Sequence, residues 1–219
     1  MPNKYANAEL KTIIKEIKNQ KLDVITISKD PLEQFDTWYM DAERAHIYLP
    51  HRMTLSTVSV DLMPSARSVL MKGYSPGGFV FYTNYESRKG KELSDIPVAA
   101  LTFAWSELER EVRIEGTVDK ASEQESDAYF QSRTRRARIV ALASNQSLVL
   151  ESRELLEKRI AELEERYRDE PTIPRPKNWG GYIVKPFRFE FWRGMPNRAN
   201  IRVEYKQENG IWLIQSLYP

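Results

Sequence analysis

Apolar positions follow a helical period before residue 53 and mostly a two-residue period after it. In the first segment, spacing at i, i+3, i+4 and i+7 predicts an amphipathic helix, on Leu10, Ile13, Ile14 and Ile17. We expect residues 1–29 to form a helical arm that docks on the rest of the chain. The remaining residues, 30–219, are expected to form a single domain.

Two further helices have recognisable beginnings. Asp30 can cap free amides, Pro31 suits the first helical position, and Glu33 follows three residues after the cap, as in a capping box. Ser122 and Glu125 show the same spacing and predict a helix from that point.

Short stretches with alternating apolar residues, separated by turn-forming residues, predict β-strands. Asn209-Gly210 marks a tight hairpin between the last two. The predicted strands do not alternate regularly with helices. This pattern favours a mainly β, antiparallel meander or barrel of six to eight strands with peripheral helices. The predicted strands cover residues 53–60, 67–74, 78–84, 98–105, 111–121, 181–194, 201–207 and 211–219.

Composition restricts the chemistry. The chain of 219 residues has no cysteine, which excludes disulfides and cysteine-bound metals and is typical of a reducing compartment, so a cytoplasmic location is expected. With 33 basic and 31 acidic residues, it lacks the broad positive charge of a nucleic-acid-binding protein. No apolar run reaches the ~20 residues of a membrane span. The two histidines, His46 and His51, form no known metal or triad motif, and no metal site is expected.

The stretch GFVFYTNYESRKGKEL, residues 78–93, begins as a strand and ends in hydroxyls and cations. Ser87 can cap a helix whose first turn holds Arg88 and Lys89. Cations are unfavourable at that end of a helix, because the free amides there are already positive, and a bound anion would reverse the cost. The stretch therefore suggests a phosphate site. A solvated, charged turn remains the alternative.

Two other cationic clusters are weaker signals. Arg67 and Lys72 flank an apolar run, and their odd spacing places them on opposite faces of a strand unless a bulge intervenes. Tyr129 and Arg133 are spaced at i, i+4, so that a phenol and a guanidinium on one helix face could meet one anion. Each cluster is also compatible with ordinary surface packing.

From about residue 30 to residue 219 the chain resembles the pyridoxamine 5′-phosphate oxidase family. The resemblance rests on seven runs in order: RSVLMKG, GFVFYTNYESRKGKEL, LEREVRIEGTV, SDAYFQSR, SNQS, IPRPKNWGGY and EFWRG. It implies an FMN-binding split β-barrel that acts as a homodimer, with FMN between the subunits. The implied reaction oxidises pyridoxine or pyridoxamine 5′-phosphate to pyridoxal 5′-phosphate, with O2 as acceptor and H2O2 as product.

The resemblance also implies which residues contact FMN. One departs from the family pattern, because Glu111 stands where the family has glutamine, and a carboxylate accepts hydrogen bonds but does not donate them. The implied FMN contacts are Arg67, Ser68, Val69, Leu70, Met71, Lys72, Tyr82, Thr83, Arg88, Lys89, Glu111, Gln146, Ser147, Trp192 and Arg202.

The implied substrate contacts depart more often. Ala137 stands where the family has a serine that binds the substrate phosphate, and Asn200 stands where the family has a histidine that faces the substrate. The family pattern assigns catalytic positions to Arg198 and Asn200, with Arg198 over the substrate ring. The implied substrate-binding residues are Lys72, Tyr129, Arg133, Ala137, Arg198 and Asn200.

These departures leave two alternatives open. One is an FMN oxidase of the same fold that acts on a different ring, as in the phenazine pathway. The other is a protein that binds flavin or pyridoxal phosphate with weak turnover.

Overall fold

The computed structural model describes residues 4–219. The helices are α1 (Lys4–Asn19), α2 (Pro31–Arg44), α3 (Arg88–Asp95), α4 (Glu123–Ser132), α5 (Arg135–Ala143) and α6 (Arg153–Arg166). The strands are β1 (Arg52–Val58), β2 (Pro64–Leu70), β3 (Gly73–Ser75), β4 (Gly78–Asn84), β5 (Val98–Trp105), β6 (Arg110–Lys120), β7 (Trp179–Arg193), β8 (Ile201–Glu208) and β9 (Ile211–Leu217).

All strand pairs are antiparallel and belong to one sheet, in the order β2-β1-β5-β6-β7-β4-β3, with β8 and β9 joined to β7. The long strand β7 organises the sheet, since β6 pairs with it over its length while β4 and β8 pair with its first and second halves. The expected antiparallel barrel with peripheral helices is confirmed.

A bulge in β7 allows the sheet to curve, since Glu115 pairs with Arg188 and Gly116 with Pro186, which leaves Phe187 without a pairing partner on β6. The register between β6 and β7 shifts between Glu115 and Gly116. At Gly116 the two backbones approach so closely that an added Cβ would lie 2.4 Å from the carbonyl oxygen of Lys185. Glycine is required here because any side chain would separate the strands.

Nine strands form within the described residues instead of the six to eight expected, because the predicted strand 67–74 is interrupted. The amide of Met71 donates to the carbonyl of His51, and the amide of Lys72 donates to the carbonyl of Val80. The chain thus leaves β1 and turns to pair with β4 as β3. Alternation alone cannot reveal this change of partner.

The helices predicted at Asp30 and Ser122 begin where the sequence indicates, but one of the two predicted capping boxes does not form. Asp30 caps α2 by accepting a hydrogen bond from the Leu32 amide, but Glu33 does not complete a capping box and accepts from the Ser28 hydroxyl. Ser122 and Glu125 form the complete, reciprocal box at α4.

The main core is rich in aromatic side chains. Phe35 of α2 packs edge-on against Phe79 at 4.9 Å and against Phe103 at 5.0 Å, measured between ring centroids. Each such ring contributes about 1.5–3 kcal/mol through burial. Ile17 of α1 is fully buried in the same core, so α1 is docked on the barrel.

A second, smaller core joins α4, α5 and α6 to the beginning of β7. It consists of Phe130, Ile139, Ala143, Ile160, Ile173 and Trp179. This core fixes α4 and α5 beside β4, where the candidate site lies. Within residues 4–219, no helix has the length and apolar character that crossing a bilayer requires.

Candidate active site

A cavity of about 840 Å³ opens between β2, β4, α3, α4 and the segment that follows α5. Thirteen of the residues singled out from the sequence line this cavity: Arg67, Ser68, Val69, Leu70, Lys72, Tyr82, Thr83, Arg88, Lys89, Tyr129, Arg133, Gln146 and Ser147. Segments far apart in the chain therefore meet on one space large enough for a cofactor.

The cationic end of the cavity is built by the turn from β4 into α3. Ser87 caps α3 by accepting a hydrogen bond from the Gly90 amide. Gly90 permits the helix to lie against the turn, since an added Cβ would be 2.1 Å from the carbonyl oxygen of Tyr85. Lys89 is consequently turned inward, and only 8% of its surface remains exposed.

Among the described residues, Lys89 has no carboxylate as a hydrogen-bond partner. Its Nζ donates to Thr83 Oγ1 at 3.1 Å, to Ser87 Oγ at 3.1 Å and to Gln146 Oε1 at 2.9 Å. Burial and then the charge of Arg67 lower the pKa of Lys89 to about 8, although the carboxylate of Glu92 acts in the opposite direction. A buried cation surrounded by neutral acceptors is suited to an anion.

Glu92 is a functional candidate that the sequence did not single out. It accepts hydrogen bonds from two hydroxyls and two guanidiniums, those of Thr57, Ser65, Arg67 and Arg88. Burial disfavours its charge, but the four hydrogen bonds prevail and lower the pKa of Glu92 to about 2. Its helical spacing from Arg88 was visible in the sequence, whereas its contacts with β1 and β2 depend on tertiary structure.

Arg67 and Lys72 line the same cavity, which the odd spacing argued against. The strand argument fails because β2 ends at Leu70, two residues before Lys72. Arg67 itself is held by β1 and β2, since its two terminal nitrogens donate to the Leu55 carbonyl and to the hydroxyls of Thr57 and Ser65 as well as to Glu92.

Three aromatic rings also line the cavity, those of Tyr82, Tyr129 and Trp179. Tyr82 stacks on Tyr129 with centroids 3.9 Å apart and on Trp179 at 5.7 Å. Arg133 lies over the Trp179 ring at 4.7 Å, and burial lowers the pKa of its guanidinium. Its Nη1 is buried without a hydrogen-bond partner among the described residues. Trp179 was not among the predicted contacts, because it precedes the predicted strand 181–194 and its stacking with Tyr82 depends on tertiary structure.

Three predicted FMN contacts form a separate row outside the cavity. Trp192 of β7 pairs with Glu111 of β6 on one side and with Arg202 of β8 on the other. Glu190 holds Arg202 by accepting from its Nε at 2.7 Å and its Nη2 at 3.0 Å. The Glu111 carboxylate accepts from Arg113 Nε at 2.6 Å.

The remaining predicted positions also lie outside the cavity of the single chain. Met71 is buried in the main core. Ala137 lies in the first turn of α5. Arg198 and Asn200 belong to the turn between β7 and β8, where Arg198 is exposed and Asn200 Oδ1 accepts from the Met195 amide.

This fold and this cavity define a class, the antiparallel split-barrel proteins, here with a cavity lined by cationic side chains. Comparison with family models makes the assignment more specific. The pyridoxamine 5′-phosphate oxidase model matches residues 40–167, and the model of the pyridoxine 5′-phosphate oxidase C-terminal dimerisation region matches residues 179–219. The chain belongs to the pyridoxamine 5′-phosphate oxidase family, whose members are oxidoreductases.

Curated relatives agree over nearly the whole chain. A pyridoxine/pyridoxamine 5′-phosphate oxidase of Salinibacter ruber is 46% identical over 97% of this chain and 100% of its own length. Those of Rubrobacter xylanophilus and Paraburkholderia phytofirmans are each 51% identical, over 87% and 90% of this chain and 87% and 93% of their own lengths.

Solved structures support the fold. PhzG from Burkholderia lata, in complex with tetrahydrophenazine-1-carboxylic acid, superposes with a TM-score of 0.85 at 27% identity, over 91% of this chain and 98% of its own. A pyridoxamine 5′-phosphate oxidase-related, FMN-binding protein from Nostoc punctiforme superposes with a TM-score of 0.67 at 16% identity, over 88% of this chain and 99% of its own.

Proposed function

We propose that this protein is an FMN-dependent oxidase that converts pyridoxine or pyridoxamine 5′-phosphate to pyridoxal 5′-phosphate, with O2 as acceptor and H2O2 as product. The observation that carries the proposal is Lys89, a buried cation with only neutral hydrogen-bond partners, in a cavity that also holds Arg67 and Arg88. The curated relatives that are 46–51% identical bear this enzyme's name.

The residues at the α3 end of the cavity fit the FMN phosphate. Lys89 and Arg88 would supply positive charge, and the hydroxyl of Thr83 would supply a further hydrogen bond. The backbone of residues 67–72 would follow the flavin, and Met71 would then contact it through the main chain, since its side chain is buried. When bound, FMN would supply the redox chemistry, as the acceptor of hydride from the substrate carbon and the source of electrons for O2.

The aromatic end fits the substrate phosphate. Arg133 offers the unpartnered Nη1, and Lys72 and Tyr129 line the same cavity. Ala137 lacks the hydroxyl of the family pattern, and its loss would cost on the order of 1 kcal/mol of binding. That cost weakens binding without abolishing it.

The catalytic roles of the remaining positions are orientation and hydrogen bonding. Arg198 would lie over the substrate ring, and Asn200 would donate or accept a hydrogen bond without titrating near neutral pH. No side chain needs to act as nucleophile, because the protein supplies geometry and electrostatics to a reaction carried by the cofactor.

We further propose a homodimer with FMN at the subunit interface. The match to a C-terminal dimerisation region covers β7, β8 and β9. The row of Glu111, Trp192 and Arg202 lies outside the cavity of its own chain, which is what a site completed by the partner subunit requires.

The alternative substrate is a phenazine-type ring. Its support is the fold similarity to PhzG, together with the replacements at Ala137 and Asn200. The identity of 27% to PhzG is well below the 46–51% shared with the named oxidases, so the vitamin substrate is the stronger proposal.

The test uses purified protein stripped of flavin. Titration with FMN should quench flavin fluorescence with saturation, and subsequent addition of pyridoxine 5′-phosphate should consume O2 and release H2O2. FMN binding without O2 uptake on either phosphorylated vitamer would favour the phenazine-type substrate or a binding protein. Failure to bind FMN would overturn the proposal.

A further inference from the structure

Glu92 lies behind the cations of the cavity without lining it. Only 4% of its surface is exposed, and it contacts three separate elements, β1 through Thr57, β2 through Ser65 and Arg67, and its own helix α3 through Arg88. A carboxylate so placed cannot bind a ligand in the cavity directly. Any effect on the ligand has to pass through the arginines.

The hydrogen bonds orient each guanidinium differently. Arg88 uses Nε for Glu92 Oε1 at 2.9 Å, and both of its terminal nitrogens are without a hydrogen bond among the described residues. Arg67 uses one terminal nitrogen for Glu92 Oε2 at 3.2 Å and is held by hydroxyls besides. Glu92 therefore fixes the orientation of the Arg88 guanidinium and holds the Arg67 guanidinium in place.

The charge of the cluster also matches a dianion. Arg67, Arg88 and Lys89 contribute three positive charges and Glu92 one negative charge, which leaves a net charge of two. Without the carboxylate, three cations would face one another with no counter-charge, and the flexible Arg88 would be free to turn away into solvent.

We infer that Glu92 is a positioning residue of the phosphate site, which holds Arg67 and Arg88 in binding geometry before the ligand arrives. The inference rests on the proposed function only in taking the FMN phosphate as that ligand. A purely structural ion pair is the competing explanation. Asp41 provides the comparison, since it is equally buried, at 5% exposed, and pairs with Arg110 and Arg44 away from the cavity.

Three explanations, positioning, a pure counter-charge and a structural ion pair, predict different outcomes for Glu92→Gln. The amide keeps the shape and can still bond the hydroxyls, but it removes the charge that holds both arginines. Positioning predicts that the Kd for FMN rises about tenfold, although the site becomes more positive. A pure counter-charge predicts tighter binding, and a structural pair predicts an unchanged Kd.

The experiment titrates FMN into flavin-free wild type, Glu92→Gln and the matched control Asp41→Asn, and records the Tm of each. We expect both variants to lower Tm but only Glu92→Gln to weaken FMN binding, with Asp41→Asn within about twofold of wild type. An unchanged or lower Kd for Glu92→Gln overturns the inference. So does an equal loss of FMN affinity in both variants, since that loss would follow stability.

The pH profile provides a second readout. The charged groups around Lys89 are Arg67 from β2 and Arg88 and Glu92 from its own helix. The neutral ones are Ser87 at the cap of that helix, Thr83 from β4 and Gln146 from the segment after α5. Glu92 raises the Lys89 pKa, so its neutralisation should shift the upper pH limit of FMN binding downward. A profile identical to that of wild type counts against the inference.

Two further experiments test the inference if Glu92→Gln does not fold or if wild type does not bind FMN. If Glu92→Gln does not fold, Glu92→Asp retains the charge but is one methylene too short to reach both arginines, and it should also weaken FMN binding. Unchanged affinity would overturn the inference.

If wild type fails to bind FMN, the proposed function fails, and inorganic phosphate becomes the probe. Phosphate binding weaker in Glu92→Gln than in wild type then supports the inference, and equal binding overturns it.

Discussion

Lys89 Nζ donates a hydrogen bond of 2.9 Å to the side-chain oxygen of Gln146, a residue 57 positions away in the chain. The same oxygen accepts from the Thr83 hydroxyl at 3.2 Å. Gln146 therefore offers Lys89 and Thr83 one shared acceptor, as a phosphate oxygen could. An amide carries no net charge, so an anion in this place would gain more from the buried lysine than Gln146 does.

Replacement of Lys89 by methionine should weaken FMN binding about 100-fold, because a buried hydrogen bond to a charged group is lost while the chain length is kept. Fluorescence titration of flavin-free protein measures the effect. Lys91→Met is the matched control, since Lys91 belongs to the same helix but is exposed. Equal losses in both variants would contradict a specific role for Lys89.

The affinity for FMN should decrease above about pH 8. Lys89 has a pKa of about 8 in the ligand-free protein, so it loses its proton as the pH rises, whereas the phosphate is already a dianion from about pH 7 upward. FMN binding should therefore take up protons in this range. Titration calorimetry in two buffers of different ionisation enthalpy would show it, and the Lys89→Met variant should lack the effect.

The same pKa shift predicts how stability depends on pH. Because the pKa of Lys89 is lowered on folding from 10.5 to about 8, the unfolded chain binds more protons between these values. The Lys89 contribution to the free energy of unfolding should thus rise with pH from about 8 to 10.5 in flavin-free protein. Comparison of wild type with Lys89→Met by urea unfolding across this range isolates the contribution. A constant difference between them would refute it.

Arg133→Leu should raise the KM for pyridoxine 5′-phosphate about 10- to 100-fold and leave the Kd for FMN within about twofold. The physical reason is the unpartnered Nη1, which is available to the substrate phosphate. Steady-state oxygen uptake measures the change. Arg136→Leu is the control, because Arg136 lies on the neighbouring helix and pairs with Glu164. A similar rise in KM for the control would disprove the assignment.

Mixed dimers test whether the site is shared between subunits. Lys89→Met damages the cavity and Trp192→Ala damages the row of Glu111, Trp192 and Arg202, so each homodimer should bind FMN poorly. If the cavity of one subunit meets the row of its partner, a mixed dimer contains one site with both changes and one intact site. Differently tagged chains, co-expressed and purified by both tags, should regain FMN. No recovery would mean that cavity and row do not form one site in this way.

Restoration of the family residues should improve turnover of the vitamin substrate. The double variant Asn200→His with Ala137→Ser returns a titratable group and a phosphate hydroxyl, and kcat/KM for pyridoxine 5′-phosphate should rise about tenfold. Each single variant serves as a control for the other. If kcat/KM does not increase, these positions are not weakened substrate contacts.

Local chemistry made much of the fold predictable. The sequence located β4 and β5 to the residue, because turn-forming residues precede both strands and because buried positions alternate along β5, while β4 is buried along most of its length. Asn209-Gly210 forms the expected hairpin, with both residues at positive φ. The signals failed where a strand changed partner, at Met71 and Lys72, since the alternation of one strand carries no information about its neighbour.

The sequence by itself determined which residue types could meet an anion: the cap at Ser87, the cations Arg88 and Lys89, and the pair of Tyr129 and Arg133. Only the tertiary structure decided how these groups are charged and held. The burial of Lys89 and the position of Glu92 depend on contacts with β1, β2 and β4. The physical reason is that the free energy of a charge is set by its solvent and its neighbours in space.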